Sequence, residues 1–161
     1  MKFSHQHVIP GNPTDVWNLT ADPQFTKESY AKANATHELI RTEQKNGKIV
    51  NRIRVTVNAP KLPSFVAKIT GSPYLSYEQI ETIDAQKRTN DWVILIPKLE
   101  KKVKASGRFT IAEHGSQSKR LIEGEVKVLI PLIGGKIEKH ISKQLEESQK
   151  EISNLLIERL S

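Results

Sequence analysis

The residues best suited to chemistry in this chain are its five histidines and the carboxylates beside them. His5 and His7 stand two apart, so an extended strand would set both imidazoles on one face, where they could approach a single metal ion. Spacing identifies no third ligand, and hydrogen-bonded structural histidines are the competing reading. His37 beside Glu38, and His140 near Glu138, each pair an imidazole with a carboxylate; proton transfer would further require a shared cleft and a poised pKa. No nucleophile elbow accompanies them. Gly134-Gly135-Lys136 places glycines ahead of a helix without the remaining spacing of a phosphate loop, so simple chain reversal competes there with an anion held at a helix N-terminus. With no cysteine in the chain, thiolate metal sites, cysteine nucleophiles and disulfides are excluded. No cofactor or metal is expected.

The elements that would position these groups are legible from periodicity. Met1 to Pro10 alternates, with Phe3, His5, His7 and Ile9 on one side, and so predicts a strand. Asn12-Pro13 and Asp22-Pro23 repeat one device, a capping side chain followed by a proline at the first helical position. They predict short helices over Pro13 to Thr20 and from Pro23 to about Ala33. Strands are then predicted over His37 to Gln44 and Lys48 to Asn58, joined at Asn46-Gly47, with Ile49, Ile53, Val55 and Val57 on one face. Ala59 to Pro63 breaks the sheet with two prolines, and Ser64 to Thr70 predicts one or two helical turns ended by Gly71-Ser72-Pro73. Tyr74 to Ile83, Asp91 to Pro97, Lys102 to Glu113 and Ser118 to Leu132 complete an antiparallel meander.

Everything after Gly134-Gly135 reads as helix. Ile137, Ile141, Leu145, Ile152, Leu155, Leu156 and Leu160 recur at helical spacing, with Ser148 standing where the stripe calls for an apolar residue. A helix of about 26 residues, roughly 40 Å long, needs a partner. That partner is the chain's own sheet or, failing that, a second copy in a coiled coil; the broken stripe favours the sheet and a monomer.

Glycines within strands, Gly107 and Gly124, mark bends or close approaches. A sheet bent around a helix leaves volume near the bend. The candidate lining is Ile53, Val55, Tyr77, Trp92, Ile94, Phe109, Val126 and Val128 from strands, and Ile137, Ile141 and Leu145 from the helix. Phe65 would stand at a movable mouth between Lys61 and Ile69.

Composition bounds the rest. A chain of 161 residues, 37% hydrophobic and 27% charged, has the size of one domain. The longest uncharged apolar run, Val128 to Gly135, falls far short of the roughly 20 residues of a membrane span, and the N-terminus lacks a signal-like apolar stretch. A soluble cytoplasmic protein is expected. The net charge of +7 would favour nucleic acid or anionic lipid only if the lysines cluster in space, and the densest run, Lys98, Lys101, Lys102 and Lys104, alternates along an extended chain. Nucleic acid is therefore not expected as a partner, whereas transient contact with an anionic membrane stays open.

The order strand, two short helices, six strands and long helix resembles the START-like superfamily, also called SRPBCC. The run from Gly124 through Pro131, Gly134 and Gly135 to Ile141 is similar to the strand-to-helix junction of a bacterial branch, as are His37 to Ile40, Ile53 to Val57 and Pro63 to Phe65. The resemblance implies an α+β helix-grip (START/Bet v 1-like) fold over residues 1–161, with a curved antiparallel sheet of about seven strands around the C-terminal helix. It implies a hydrophobic small molecule or lipid in a cavity between sheet and helix. The alternatives are a polyketide cyclase/aromatase-like enzyme using Tyr77, His37 or Glu43 as acid or base, and a regulatory interaction module with no ligand. Rieske-type Cys and His motifs are absent, so the oxygenase role is not implied.

Overall fold

The computed structural model describes residues 1–59 and 61–161, so Pro60, one of the prolines expected to break the sheet, lies outside the described residues. Strand β1 (Lys2–Ile9) keeps the predicted alternation: Lys2, Ser4 and Gln6 are exposed, Phe3, His5 and His7 half-buried, and Ile9 buried. Helix α1 (Pro13–Ala21) opens on Asn12, whose side-chain oxygen accepts from the Asp15 amide at 2.9 Å. Helix α2 (Pro23–Lys32) opens in the same way on Asp22, which accepts from the Gln24 amide at 2.9 Å. In both, the cap satisfies an amide that has no partner within the helix, and the proline occupies a position that needs no donor.

The first hairpin joins β2 (Ala35–Lys45) to β3 (Lys48–Val57). Asn46 and Gly47 take φ of 54° and 76°, the paired left-handed values whose twist matches that of the strands. The register shifts between Leu39 and Arg41, an irregularity with no counterpart in the sequence pattern. Helix α3 (Ser64–Thr70) stops at Gly71, where φ is 76°. Strands β4 (Ser76–Asp84), β5 (Thr89–Leu95), β6 (Val103–His114) and β7 (Gln117–Val128) follow. The seven strands form one antiparallel sheet in the order β1-β7-β6-β5-β4-β3-β2.

Strand β7 ends four residues short of the predicted Leu132. Pro131 offers no amide to the ladder, Leu132 takes a φ of 71°, and the Ile130 carbonyl turns to accept from the Gly134 amide at 2.9 Å. This turn launches α4 (Gly134–Leu160), which lies on the chain's own sheet against β7 and β1 and meets α1 and α2.

Apolar burial is concentrated at the two ends of α4. Near its start, Ile137 joins Val66, Ile96, Leu99, Val103, Ala105, Val126 and Val128. Near its end, Leu155 and Leu156 join Ile9, Val16, Trp17, Phe25 and Ile111. A third cluster of Ala35, Ile53 and Val55 lies beneath Tyr30 of α2. Between these clusters Ile141, Leu145 and Ser148 are only half-buried.

Gly107 and Gly124 face each other across β6 and β7, and their role is close approach. The rings of Trp92 and Phe3 stack with centroids 6.2 Å apart, lying so close over Gly107 and Gly124 that a methyl group on either glycine would strike a ring. Both rings pack against the apolar cluster at the start of α4 and line the space beneath that helix.

Candidate functional site

Beneath the half-buried middle of α4 is a cavity of about 720 Å³. Trp92 and Ile94 of β5, Phe109 of β6 and Ile122 of β7 line it from the sheet, and Ile137, Ile141, Leu145 and Ser148 line it from the helix. Alternation explains the strand residues, because each stands on the concave face. Ser148, the break in the apolar stripe, fronts the cavity.

Of the residues expected to line a site, Ile53, Tyr77, Trp92, Ile94, Phe109, Ile137, Ile141 and Leu145 are brought together around this space. Val55, Phe65, Val126 and Val128 are not. Val55 and Val126 are fully covered by neighbouring side chains and Val128 nearly so, because period-two alternation reports the face a residue occupies and not how deeply neighbours cover it. Phe65 packs on the apolar cluster at the start of α4, while Val66 and Ile69 of α3 turn to the cavity. Of the proposed acids and bases, Tyr77 and His37 line the cavity. Glu43 is exposed on the β2–β3 hairpin beside Arg41 at 3.3 Å, which removes it from any shared chemistry.

Further polar groups inside the cavity, Asn51, Gln79, Glu81 and Asn90, come from a pattern not read in the sequence. Strand β4 directs Tyr77, Gln79, Glu81 and Ile83 inward, and Asn51 of β3 stands opposite Glu81. The available signal was a polar residue at an inward position of an alternating strand. Gln79 donates to Glu81 Oε1 at 2.9 Å. Burial pushes the Glu81 carboxyl above its ordinary range, with hydrogen bonds from Asn90, Gln79 and Asn51 opposing more weakly; its remaining accessible surface fronts the cavity. Burial also pushes the Tyr77 phenol up to about 12, and raises Tyr30, helped by the nearby Tyr77 and Glu81. The Tyr30 ring stacks on His37 with centroids 4.4 Å apart. At neutral pH both phenols are therefore hydrogen-bond donors.

These shifts set a pH dependence. A carboxyl whose folded-state pKa is raised keeps its proton longer in the folded chain, so it subtracts stability as pH rises from the unfolded value of 4.5 through the raised one. Glu81→Gln removes that loss. Relative to the unaltered chain, its urea midpoint should therefore be higher at about pH 7.5 than at about pH 4. An equal difference at both pH values would contradict a raised Glu81.

A second polar pole lies between β7 and α4, where Arg120, Gln149 and Ser148 line the cavity. Burial lowers the Arg120 pKa to about 10, so the side chain remains a cation at neutral pH. His5 stacks on Phe3 at 5.8 Å and approaches Glu146 at 4.0 Å, outside the cavity. Burial, with Arg120, His5 and Lys150 nearby, holds His7 below its ordinary range. Among the described residues no three His, Asp or Glu side chains gather as a metal-binding group.

A family model described as "Protein of unknown function (DUF2505)" matches residues 4–156. The chain belongs to that family. No curated protein matches it. Among solved structures, this DUF2505 chain is similar to TTHA0849 from Thermus thermophilus, with 17% identity, a TM-score of 0.70 and coverage of 99% of this chain and 97% of that one. It is also similar to the Zhui aromatase/cyclase from Streptomyces sp. R1128, with 13% identity, a TM-score of 0.65 and coverage of 99% and 93%. Norcoclaurine synthase from Thalictrum flavum, solved in complex with dopamine and hydroxybenzaldehyde, gives 16% identity, a TM-score of 0.67 and coverage of 100% and 88%. At such identities the likeness establishes the fold alone: this chain has the START/Bet v 1-like helix-grip architecture. No helix among the described residues is long and apolar enough to cross a membrane.

Proposed function

We propose that this chain binds a hydrophobic small molecule or lipid between its sheet and α4, and carries or senses it, with residues 1–161 acting as one START-like domain in the cytoplasm. The observation that supports this reading most is the division of α4: its buried apolar contacts lie at its two ends, and its middle fronts about 720 Å³ that the chain's own side chains leave open. That volume falls within the roughly 300–1,000 Å³ of small-molecule sites, which combine an apolar lining with a few polar groups.

The same reading extends to transient contact with an anionic membrane. The antiparallel order brings the α3 segment, the β5–β6 connection and the β7–α4 turn to one end of the sheet. Lys61 and Lys68 stand exposed on the first, Lys98, Lys101 and Lys102 on the second. Leu129 and Leu132 of the third are 50% and 102% exposed, and the Leu129 amide donates to the Lys102 carbonyl at 2.7 Å. Exposed leucines among lysines suit the surface of an anionic bilayer.

Native mass spectrometry of the purified chain, followed by incubation with a lipid panel, tests the proposal. An apolar molecule of defined mass should be retained, and loading should be faster from anionic than from neutral vesicles. A chain that arrives empty and takes up nothing from the panel would overturn the reading. The convergence of Tyr77, Tyr30 and Glu81 favours a second reading, acid–base chemistry on the bound molecule; it requires that the ligand be released with an altered mass or isomeric form.

A further inference from the structure

Arg120 is a cation to which the fold offers no ion pair among the described residues. It stands in β7 opposite His7 of β1 and Ile111 of β6 and is 3% exposed. Its guanidinium carbon lies 5.4 Å from the centre of the Phe109 ring. One terminal nitrogen donates to the Gln149 carbonyl at 3.3 Å and to Ser153 Oγ at 3.1 Å, and the other donates to Gln149 Oε1. Among the described residues the Nε–H has no partner. Every one of these acceptors is neutral, and among the described residues no ion pair includes Arg120. Removing a charge from water is costly unless an opposite charge meets it, and a donor left without an acceptor adds to that cost. Arg120 is also part of the cavity wall, beside Phe109, Ile122, Gln149 and Ile152.

We infer that the molecule bound in the cavity is an amphiphile with one carboxylate, which docks on Arg120 while its apolar body lies along Phe109, Trp92 and Leu145. The inference rests on the cavity being a ligand site. A carboxylate is planar and matches the guanidinium edge made by Nε–H and the neighbouring terminal nitrogen. Among the described residues the group bonded on that edge is the Gln149 side chain, which belongs to α4 and not to the sheet. One arginine balances one negative charge. His7, opposite Arg120 in the β1–β7 ladder, is disfavoured as a cation by burial and by Arg120 itself, so a doubly charged phosphate monoester docked there would retain an unbalanced charge.

The test compares hexadecanoic acid, hexadecanol and hexadecyl phosphate on the full chain by titration calorimetry, with Arg120→Gln in parallel. The unaltered chain should bind the acid at least tenfold more tightly than the alcohol, and Arg120→Gln should lose that preference while still binding the alcohol. Equal affinity for acid and alcohol overturns the inference and leaves the cavity as an apolar site. Tighter binding of the phosphate overturns the carboxylate assignment, and an acid preference that survives in Arg120→Gln overturns the role of Arg120. Should neither chain ligand nor any member of the lipid panel bind, the site itself fails and the inference with it. If Arg120→Gln does not fold, ¹³C spectra of carboxyl-labelled hexadecanoic acid on the unaltered chain decide the matter. A bound carboxylate facing Arg120 stays ionised well below its pKa in detergent, whereas a signal titrating as a neutral, protonated acid refutes the pairing.

Discussion

Replacing Gly107 with alanine is expected to cost the fold about 3 kcal/mol or more, the range of severe overpacking in a rigid setting. A Cβ at this position would lie 2.2 Å from the Glu123 carbonyl oxygen, 2.5 Å from the Trp92 ring and 2.9 Å from the Gly124 Cα. Two of those three atoms are backbone held in the β6–β7 ladder, so they can yield only by breaking pairing. The third belongs to a ring stacked on Phe3 and lining the cavity, so the same change should also alter ligand binding. Gly135 supplies the control. A Cβ there meets nothing within 4 Å on the first turn of α4, and Gly135→Ala should gain about 0.5–1 kcal/mol from helix propensity. Urea unfolding of the two variants checks both signs. A loss under about 1 kcal/mol for Gly107→Ala would mean that the glycine only permits curvature and does not admit the ring.

Leu145→Trp should weaken binding of whichever cavity ligand the chain retains by more than tenfold, equivalent to at least about 1.4 kcal/mol, while changing stability by less than about 1 kcal/mol. Leu145 is half-buried in the middle of α4 with open volume before it, so a larger side chain there displaces ligand and not neighbouring residues. The same enlargement at Leu156, which is 0% exposed among Ile9, Val16 and Trp17, should destabilise by about 1–3 kcal/mol because no space receives it. The contrast separates ligand volume from packed interior by two measurements, an unfolding midpoint and a binding titration. If Leu145→Trp proves as destabilising as Leu156→Trp, the middle of α4 is ordinary core; if it leaves affinity unchanged, the ligand site lies elsewhere.

How these predictions divide between helix ends and helix middle shows what one-dimensional pattern can carry. The stripe from Ile137 to Leu160 identified the long helix and its buried face, since burial at helical spacing is a local property. Ser148 already stood out within it, yet only the fold shows that the residue fronts open volume. For the strands, alternation gave the face of each residue and not its depth. Val55, Val126 and Val128 share their strands' inward side with cavity-lining residues, and differ from them only in what packs above.

What the amino-acid order determined by itself was the set of elements, their caps and turns, and the concave faces of the strands. Each depends on a few neighbouring residues: Asn12 and Asp22 holding an amide, Asn46-Gly47 adopting left-handed angles, apolar side chains recurring every second or every third to fourth position. Only the tertiary structure decided that Glu81, Asn51 and Asn90 converge, that β7 stops at Val128, and that Arg120 lines the cavity with no ion pair among the described residues. Those outcomes arise from segments brought together by strand register and by where α4 crosses the sheet, and a distance between such segments has no expression in the spacing of residues along the chain.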